Sequence, residues 1–251
     1  MEVIDTQFID DKGNVMDFMP SIVPIVTEDK KTKELIFIGT AFFITAKGLL
    51  VTAKHCFYHK DKLIDNLRVC YLVPGNMFLP IPITTFSLSI QYDVVYFQIQ
   101  PLVNPEKGEL VSFTPLRLTL NKPQIGDQLA TFGFANSTIQ YLENGESKKY
   151  FNSKSYLGKY IEYHEKGFSL LKNPCYQTNI KIAGGASGGP VFDKDGCVFA
   201  ICSTGYDLHD ESDEEISFVT PLSPTFIMDI ETLSGKIVSV NDLIEANEIC
   251  I

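Results

Sequence analysis

The sequence has few basic residues: 21 Lys and Arg stand against 31 Asp and Glu, so the formal net charge of the 251 residues is −10. Binding to the phosphates of DNA or RNA depends on clustered Lys and Arg side chains, which release counterions from the polymer. The acidic balance therefore predicts that no nucleic acid is a partner of this chain.

Long apolar segments are absent as well. No run of about 18 apolar residues occurs, so the sequence predicts no transmembrane helix and no membrane partner. The first 20 residues carry five acidic residues and no long apolar run, which is unlike a secretory signal peptide. We therefore expect a cytoplasmic protein.

The six cysteines form no CxxC pair and show no Cys/His spacing of a zinc site, so we expect neither a metal nor a cofactor. Since no export signal is visible, we expect free, buried thiols in a reducing compartment. The cysteines are Cys56, Cys70, Cys175, Cys197, Cys202 and Cys250.

What the sequence does have is a series of short segments rich in Val, Ile, Phe and Thr, separated by Gly, Pro, Asn and Asp. This pattern is typical of a β-barrel or a β-sandwich. Helical spacing occurs near the end, over residues 224–233, and a short strand and a capped helix beginning at Asn241 follow. The predicted strands are 21–27, 35–45, 49–54, 66–73 and 94–98, then 128–134, 156–163, 177–182, 190–192, 198–203 and 216–220.

A glycine cluster, GGASGGPVFD at residues 184–193, surrounds a single serine, Ser187. Glycines adopt backbone conformations closed to other residues, so amide N–H groups can converge beside the serine oxygen as an oxyanion hole. A glycine-rich hairpin turn with an incidental serine explains the same pattern. A nucleophilic serine also needs a base and a group that orients the base.

His55 and Asp93 are the candidates for those two roles. His55 follows directly after an apolar β segment, and Asp93 opens another one. Each residue taken alone has an ordinary structural explanation, as a histidine packed in the core and as an aspartate at the start of a strand.

Together, the three segments resemble the motifs of the trypsin-like (chymotrypsin-fold) serine peptidases. VTAKHC at 51–56 resembles the family's TAAHC motif, YDVV at 92–95 its aspartate motif, and GASGGP at 185–190 its GDSGGP motif. The order His, Asp, Ser and the separations of 38 and 94 residues are also similar. AICSTG at 200–205 resembles the family strand that lies beside the substrate.

The resemblance implies an all-β fold of two six-stranded antiparallel Greek-key β-barrels packed together, with a C-terminal helix. Residues 21–103 would form the first barrel, 104–117 the interbarrel linker and 118–222 the second barrel. Residues 1–20 would be an N-terminal extension, and 223–251 the C-terminal helix and extension. The nearest members would be intracellular bacterial-type enzymes without disulfides, because residues 38–40 hold no cysteine to pair with Cys56.

The resemblance also implies hydrolysis of peptide bonds in a protein or peptide substrate. His55, Asp93 and Ser187 would be the catalytic triad, and the amides of Gly185 and Ser187 would form the oxyanion hole. Ser203 would lie near the Asp93 carboxylate. The residues in contact with the substrate would be Lys181, at the floor of the specificity pocket, and Ile182, Ser203, Thr204 and Gly205.

Departures from the family pattern leave alternatives open. Ala186 replaces the aspartate that zymogen-activated relatives carry, so we expect a hole that is either preformed or ordered by a regulatory protein partner. Lys181 favours acidic substrates, whereas the acidic loop 207–215, expected at the pocket rim, favours basic ones.

The rival functions are an inert binding module and a non-proteolytic acyl hydrolase, although the sequence lacks the strand–turn–helix context of a G-x-S-x-G acyl hydrolase.

The cysteine pattern gives a first prediction. Thiol titration of the denatured protein, purified without oxidant, is expected to find six free thiols per chain, because none of the cysteines is expected to pair. A reduced sample is the control, and a lower count in the unreduced sample would show that a disulfide exists.

Overall fold

The computed structural model of the chain describes residues 2–4, 7–9, 13, 15–17, 19–60, 62–73, 77–141, 147–169, 171–206 and 216–251. The acidic loop 207–215, expected at the pocket rim, lies outside the described residues. A small antiparallel sheet comes first, made of β1 (Glu2–Ile4), β2 (Gln7–Ile9) and β3 (Val15–Asp17).

The first barrel is a closed antiparallel sheet of six strands. A short hairpin, β7 (Tyr58–His59) and β8 (Lys62–Leu63), lies between its third and fourth strands. The barrel strands are β4 (Ile22–Glu28), β5 (Leu35–Phe43), β6 (Leu49–Thr52), β9 (Leu67–Val73), β10 (Met77–Leu88) and β11 (Val95–Ile99). Their order around the barrel is β10-β11-β6-β5-β4-β9.

The second barrel is also closed and antiparallel, and it carries an extra hairpin, β13 (Thr138–Tyr141) and β14 (Ser147–Tyr150). Its six strands are β12 (Gln128–Gly133), β15 (Lys154–His164), β16 (Cys175–Thr178), β17 (Pro190–Phe192), β18 (Val198–Tyr206) and β19 (Ile216–Pro221). Their order is β12-β15-β16-β19-β18-β17. When the six strands of each barrel are numbered one to six along the chain, the order of neighbouring strands around the closed barrel is the same in both. The structure thus confirms the expected pair of six-stranded barrels.

Apolar side chains fill both barrels and the interface between them. The larger core cluster combines first-barrel residues such as Phe42 and Phe97 with Phe132, Phe134 and Ile201 of the second barrel. A separate cluster fills the second barrel around Leu129, Tyr176 and Phe199. Because burial of each large apolar side chain contributes roughly 1.5–3 kcal/mol, the shared cluster holds the two barrels together.

Two barrel strands differ most from the prediction. The predicted strands do not include β10, whose two prolines, Pro80 and Pro82, are unusual in a strand interior. Strand β16 begins at Cys175 and ends at Thr178, so residues 179–182 of the predicted strand 177–182 lie outside it.

The helix predicted over residues 224–233 is wrong. A 3-10 turn (Ser223–Thr225) is followed by β20 (Ile230–Glu231), which pairs with β21 (Ile237–Val238). The apolar spacing does not form one buried face, since Ile227 is 76% exposed and Leu233 is 41% exposed.

The final helix is present as α1 (Val240–Glu245), one residue earlier than predicted. Ser239 caps it, because its hydroxyl accepts from the Asp242 N–H while the Asp242 carboxylate accepts from the Ser239 N–H. Of the helices in the described part of the chain, none is long and apolar enough to span a membrane. None of the six cysteines forms a disulfide, and five of them are buried.

Candidate active site

Strand pairing in the first barrel brings His55 and Asp93 together. Thr52 of β6 lies opposite Val95 of β11, so the chain that follows β6 and the chain that precedes β11 leave the barrel at the same edge. His55 lies just after β6 on a one-turn 3-10 helix (Lys54–Phe57), and the Lys54 N–H donates to the Asp93 carbonyl at 3.2 Å.

The Asp93 carboxylate accepts two hydrogen bonds from His55, one at each oxygen. The His55 backbone N–H donates to Oδ1 at 3.0 Å, and ring Nδ1 lies 2.8 Å from Oδ2. A carboxylate can only accept, so the proton lies on Nδ1 and the lone pair of the neutral ring is on Nε2. The aspartate therefore sets both the tautomer and the orientation of the imidazole.

Asp93 also changes the acidity of the ring. Burial disfavours the imidazolium, but the hydrogen bond to Asp93 and the neighbouring Cys56 outweigh burial and raise the pKa of His55 above its usual 6.5. The Asp93 side chain is only 12% exposed, whereas that of His55 is 47% exposed and faces the solvent side of the site. The ring is thus a strong base that a substrate can reach.

Ser187 belongs to the second barrel, yet its backbone is fixed to the first. Its carbonyl oxygen accepts from the Thr40 N–H of β5 at 2.9 Å and from the Cys56 thiol at 3.6 Å. The Thr40 hydroxyl is fully buried, donates to the Gly185 carbonyl at 2.8 Å and accepts from the Phe134 N–H at 3.1 Å. These contacts hold the serine loop against the strand that leads toward His55.

Two backbone amides of the serine loop, those of Gly185 and Ser187, have no hydrogen-bond partner in the described chain. Gly185 has φ +96°, and a Cβ at this position would meet the Phe37 ring at 2.3 Å, so only glycine fits. Unpaired amides that flank a serine are the arrangement that an oxyanion requires.

The candidate residues line one open cavity of about 680 Å³. His55, Asp93 and Ser187 all contribute to it. Both residues lie in the described part of the chain, where no hydrogen bond joins Ser187 Oγ to the His55 ring. Catalytic hydrogen bonds are often long before a substrate binds.

The expected substrate-binding residues divide into two groups. Ile182, Ser203 and Thr204 line the cavity. Lys181 does not: it is exposed, whereas its neighbours Ile180 and Ile182 pack in the second core and on the cavity wall. The assignment of Lys181 to the pocket floor stays a prediction.

The backbone of Gly205 belongs to β18, where it pairs with Ser217. The family resemblance predicts that the Ser203 hydroxyl lies near Asp93. It shares the cavity with that carboxylate, but it hydrogen-bonds to Thr220 Oγ1 at 2.7 Å.

Other lining residues were not predicted. Lys54 and Tyr92 belong to the His and Asp motifs, so their positions were accessible from the sequence. The segment 171–173 reaches the cavity only through the fold of the second barrel, and no sequence signal marks it. Within the described residues, no group of three His, Cys, Asp or Glu side chains could hold a metal ion.

Comparison with known proteins identifies the family. The model of a family described as the trypsin-like peptidase domain matches residues 39–201, about two thirds of the chain. The chain belongs to the trypsin-like peptidase family. This finding confirms the resemblance of the three motifs, and it makes the protein a serine endopeptidase.

Solved structures of trypsin-like proteases have a similar fold. They include the Rv3671c protease from M. tuberculosis in its active form, with 18% identity and a TM-score of 0.55 over 82% of this chain and 77% of that chain. The HtrA-type protease AlgW with a tripeptide is 16% identical, with a TM-score of 0.61 over 92% of this chain and 62% of that chain. This peptidase thus spans less than two thirds of AlgW. A search of curated proteins gives no match.

The close packing of the serine loop gives a prediction about Gly188. Its φ is +81°, and a Cβ there would meet Thr52 Oγ1 at 2.0 Å and the Thr40 carbonyl oxygen at 2.4 Å. Gly188→Ala is therefore expected to lower the free energy of unfolding by at least about 2 kcal/mol, measured by urea denaturation.

Gly184→Ala is the matched control for that variant. A Cβ at Gly184 meets nothing within 4 Å, so the change in unfolding free energy should stay within about 0.5 kcal/mol. Equal effects of the two substitutions would contradict the packing described for the loop.

Proposed function

We propose that this peptidase cleaves peptide bonds with Ser187 as nucleophile, His55 as general base and Asp93 as the group that orients the base. The two hydrogen bonds between Asp93 and His55, at the cavity that Ser187 also lines, are the observation that carries this assignment. Substrates are proteins or peptides.

In the proposed first step, Ser187 Oγ attacks the carbonyl carbon of the scissile bond and its proton passes to His55 Nε2. Asp93 stabilises the imidazolium through the Nδ1 hydrogen bond. The Gly185 and Ser187 amides donate to the oxyanion of the tetrahedral intermediate. The C–N bond then breaks, and the leaving amine takes the proton from His55.

Water completes the cycle by the same route. His55 removes a proton from the water as its oxygen attacks the acyl-enzyme, and it returns that proton to Ser187 Oγ when the ester bond breaks. An extended substrate would pair with the backbone of Ser203, Thr204 and Gly205, with Ile182 on the wall of the pocket.

The proposal includes the mode of control. Ala186 is fully buried, and an alanine offers no carboxylate to pair with a new N-terminus. The Gly185 and Ser187 amides have no partner in the described chain, which supports an oxyanion hole that forms without an ion pair to a new N-terminus. We propose that a regulatory protein partner, rather than zymogen cleavage, controls the activity. We also propose a reducing, cytoplasmic location, which six cysteines without a disulfide support.

Labelling with a fluorophosphonate probe, read by intact mass, tests the triad directly. The parent protein is expected to gain one adduct, Ser187→Ala none, and His55→Ala a labelling rate at least about 1000-fold lower. Ser234→Ala, which removes an exposed serine outside the cavity, is the control and should label like the parent. A folded parent without an adduct would favour an inert binding module instead.

The pH dependence of labelling tests the role of Asp93. Attack needs neutral His55, and the pKa of His55 is raised, so the rate should rise with pH through a midpoint above 6.5. Asp93→Asn removes the charge that raises this pKa. The midpoint should therefore move to lower pH while the maximal rate falls by about 10⁴-fold. An unchanged midpoint would show that Asp93 does not act on His55.

A further inference from the structure

Asn136 makes a backbone hydrogen bond to the loop that carries the nucleophile. It lies between β12 and the β13–β14 hairpin, and its N–H donates to the Gly184 carbonyl at 2.9 Å. Its backbone has φ +54°, the left-handed region that asparagine tolerates better than most residues. The side chain is exposed, so the contact with the loop comes from the main chain.

This hydrogen bond determines where the Gly185 N–H points. The Gly184–Gly185 peptide is trans, so its C=O and N–H point in opposite directions. When Asn136 holds the carbonyl of Gly184 on one side, the N–H of Gly185 faces the other side. On that side it meets no acceptor within the described chain.

The Ser187 N–H, the second donor of the proposed oxyanion hole, is held differently. It belongs to the peptide between Ala186 and Ser187, and the Ala186 carbonyl of this peptide accepts from the Gly189 N–H at 2.9 Å. That bond lies within the serine loop itself. The direction of the Gly185 amide, in contrast, depends on a residue almost fifty positions earlier in the chain.

Space is open beside the Cα of Gly184, because a Cβ built there meets no atom within 4 Å. Within the described chain, the Asn136 N–H is the hydrogen-bond donor that holds the Gly184 carbonyl. This bond therefore opposes rotation of the Gly184–Gly185 peptide. Such a rotation would turn the Gly185 N–H away from the substrate.

We infer that Asn136 is a positioning residue whose left-handed backbone keeps the Gly185 amide in the oxyanion hole. The inference rests on the proposed function, because it assigns a role to the hole of the same site. The hairpin that follows Asn136 is tied to the first barrel through Tyr141, whose hydroxyl accepts from the Leu35 N–H of β5. The turn at Asn136 is thus held from both barrels.

The test compares Asn136→Val with Asn136→Gly by the rate of fluorophosphonate labelling. Valine disfavours a positive φ and should turn the residue-136 N–H away from Gly184, so labelling is expected to fall by about 100-fold or more. Glycine keeps both the conformation and the N–H, so it should label within about threefold of the parent. The pH midpoint should stay unchanged in both variants, because the His55–Asp93 pair is intact.

Asn66→Val is the matched control. Asn66 also has a positive φ, +53°, and is exposed, but it lies in a turn of the first barrel outside the active-site cavity. The same steric cost there should lower stability and leave the labelling rate unchanged. If Asn136→Val labels as fast as the parent, or if Asn66→Val is equally slow, the inference is overturned.

A crystal structure of Asn136→Val separates this inference from the proposed function. A Gly184 carbonyl that has rotated supports the inference even if the parent protein does not label, in which case the proposed function alone fails. A carbonyl that keeps its direction overturns the inference, whatever the labelling rates are.

Discussion

The hydrogen bond from the Thr40 N–H to the Ser187 carbonyl joins the two barrels at the point where the proposed chemistry occurs. His55 and Asp93 come from one barrel and Ser187 from the other, so the site exists only while the barrels are held in register. The Thr40 hydroxyl adds a second link, to Gly185, and is itself fully buried. Breaking these two hydrogen bonds of Thr40 would be costly, because the buried polar groups would remain without partners.

The same constraint explains why the loop is rich in glycine. The chain passes so close to β5 and β6 that a Cβ on Gly188 would overlap Thr52, and one on Gly185 would overlap Phe37. Within that tight space the carbonyls of residues 184–187 each accept a hydrogen bond, while the amides of Gly185 and Ser187 have no acceptor in the described chain. In the proposed mechanism these unpaired donors are ready for the oxyanion before a substrate arrives, so little reorganisation is needed during the reaction.

Much of the fold could be predicted from the sequence, because most barrel strands are apolar segments bounded by turn residues. Strand β10 could not, since Pro80 and Pro82 are local signals against a strand that pairing with β9 overrides. The three motifs located His55, Asp93 and Ser187 as candidates, and the structure places them at one cavity. Lys181, which the family resemblance assigns to the pocket floor, is not among the residues that line this cavity. Segment 171–173 reaches the active-site cavity only through the tertiary fold, so the sequence could not show this contact.

The measurement that tests the central claim most directly is a crystal structure of the protein with a peptide aldehyde. The account predicts a covalent bond between Ser187 Oγ and the aldehyde carbon. It also predicts that the resulting oxygen lies about 2.7–3.1 Å from both the Gly185 and the Ser187 amide nitrogens. A bond to another residue, or an oxygen that faces away from these two amides, would contradict it.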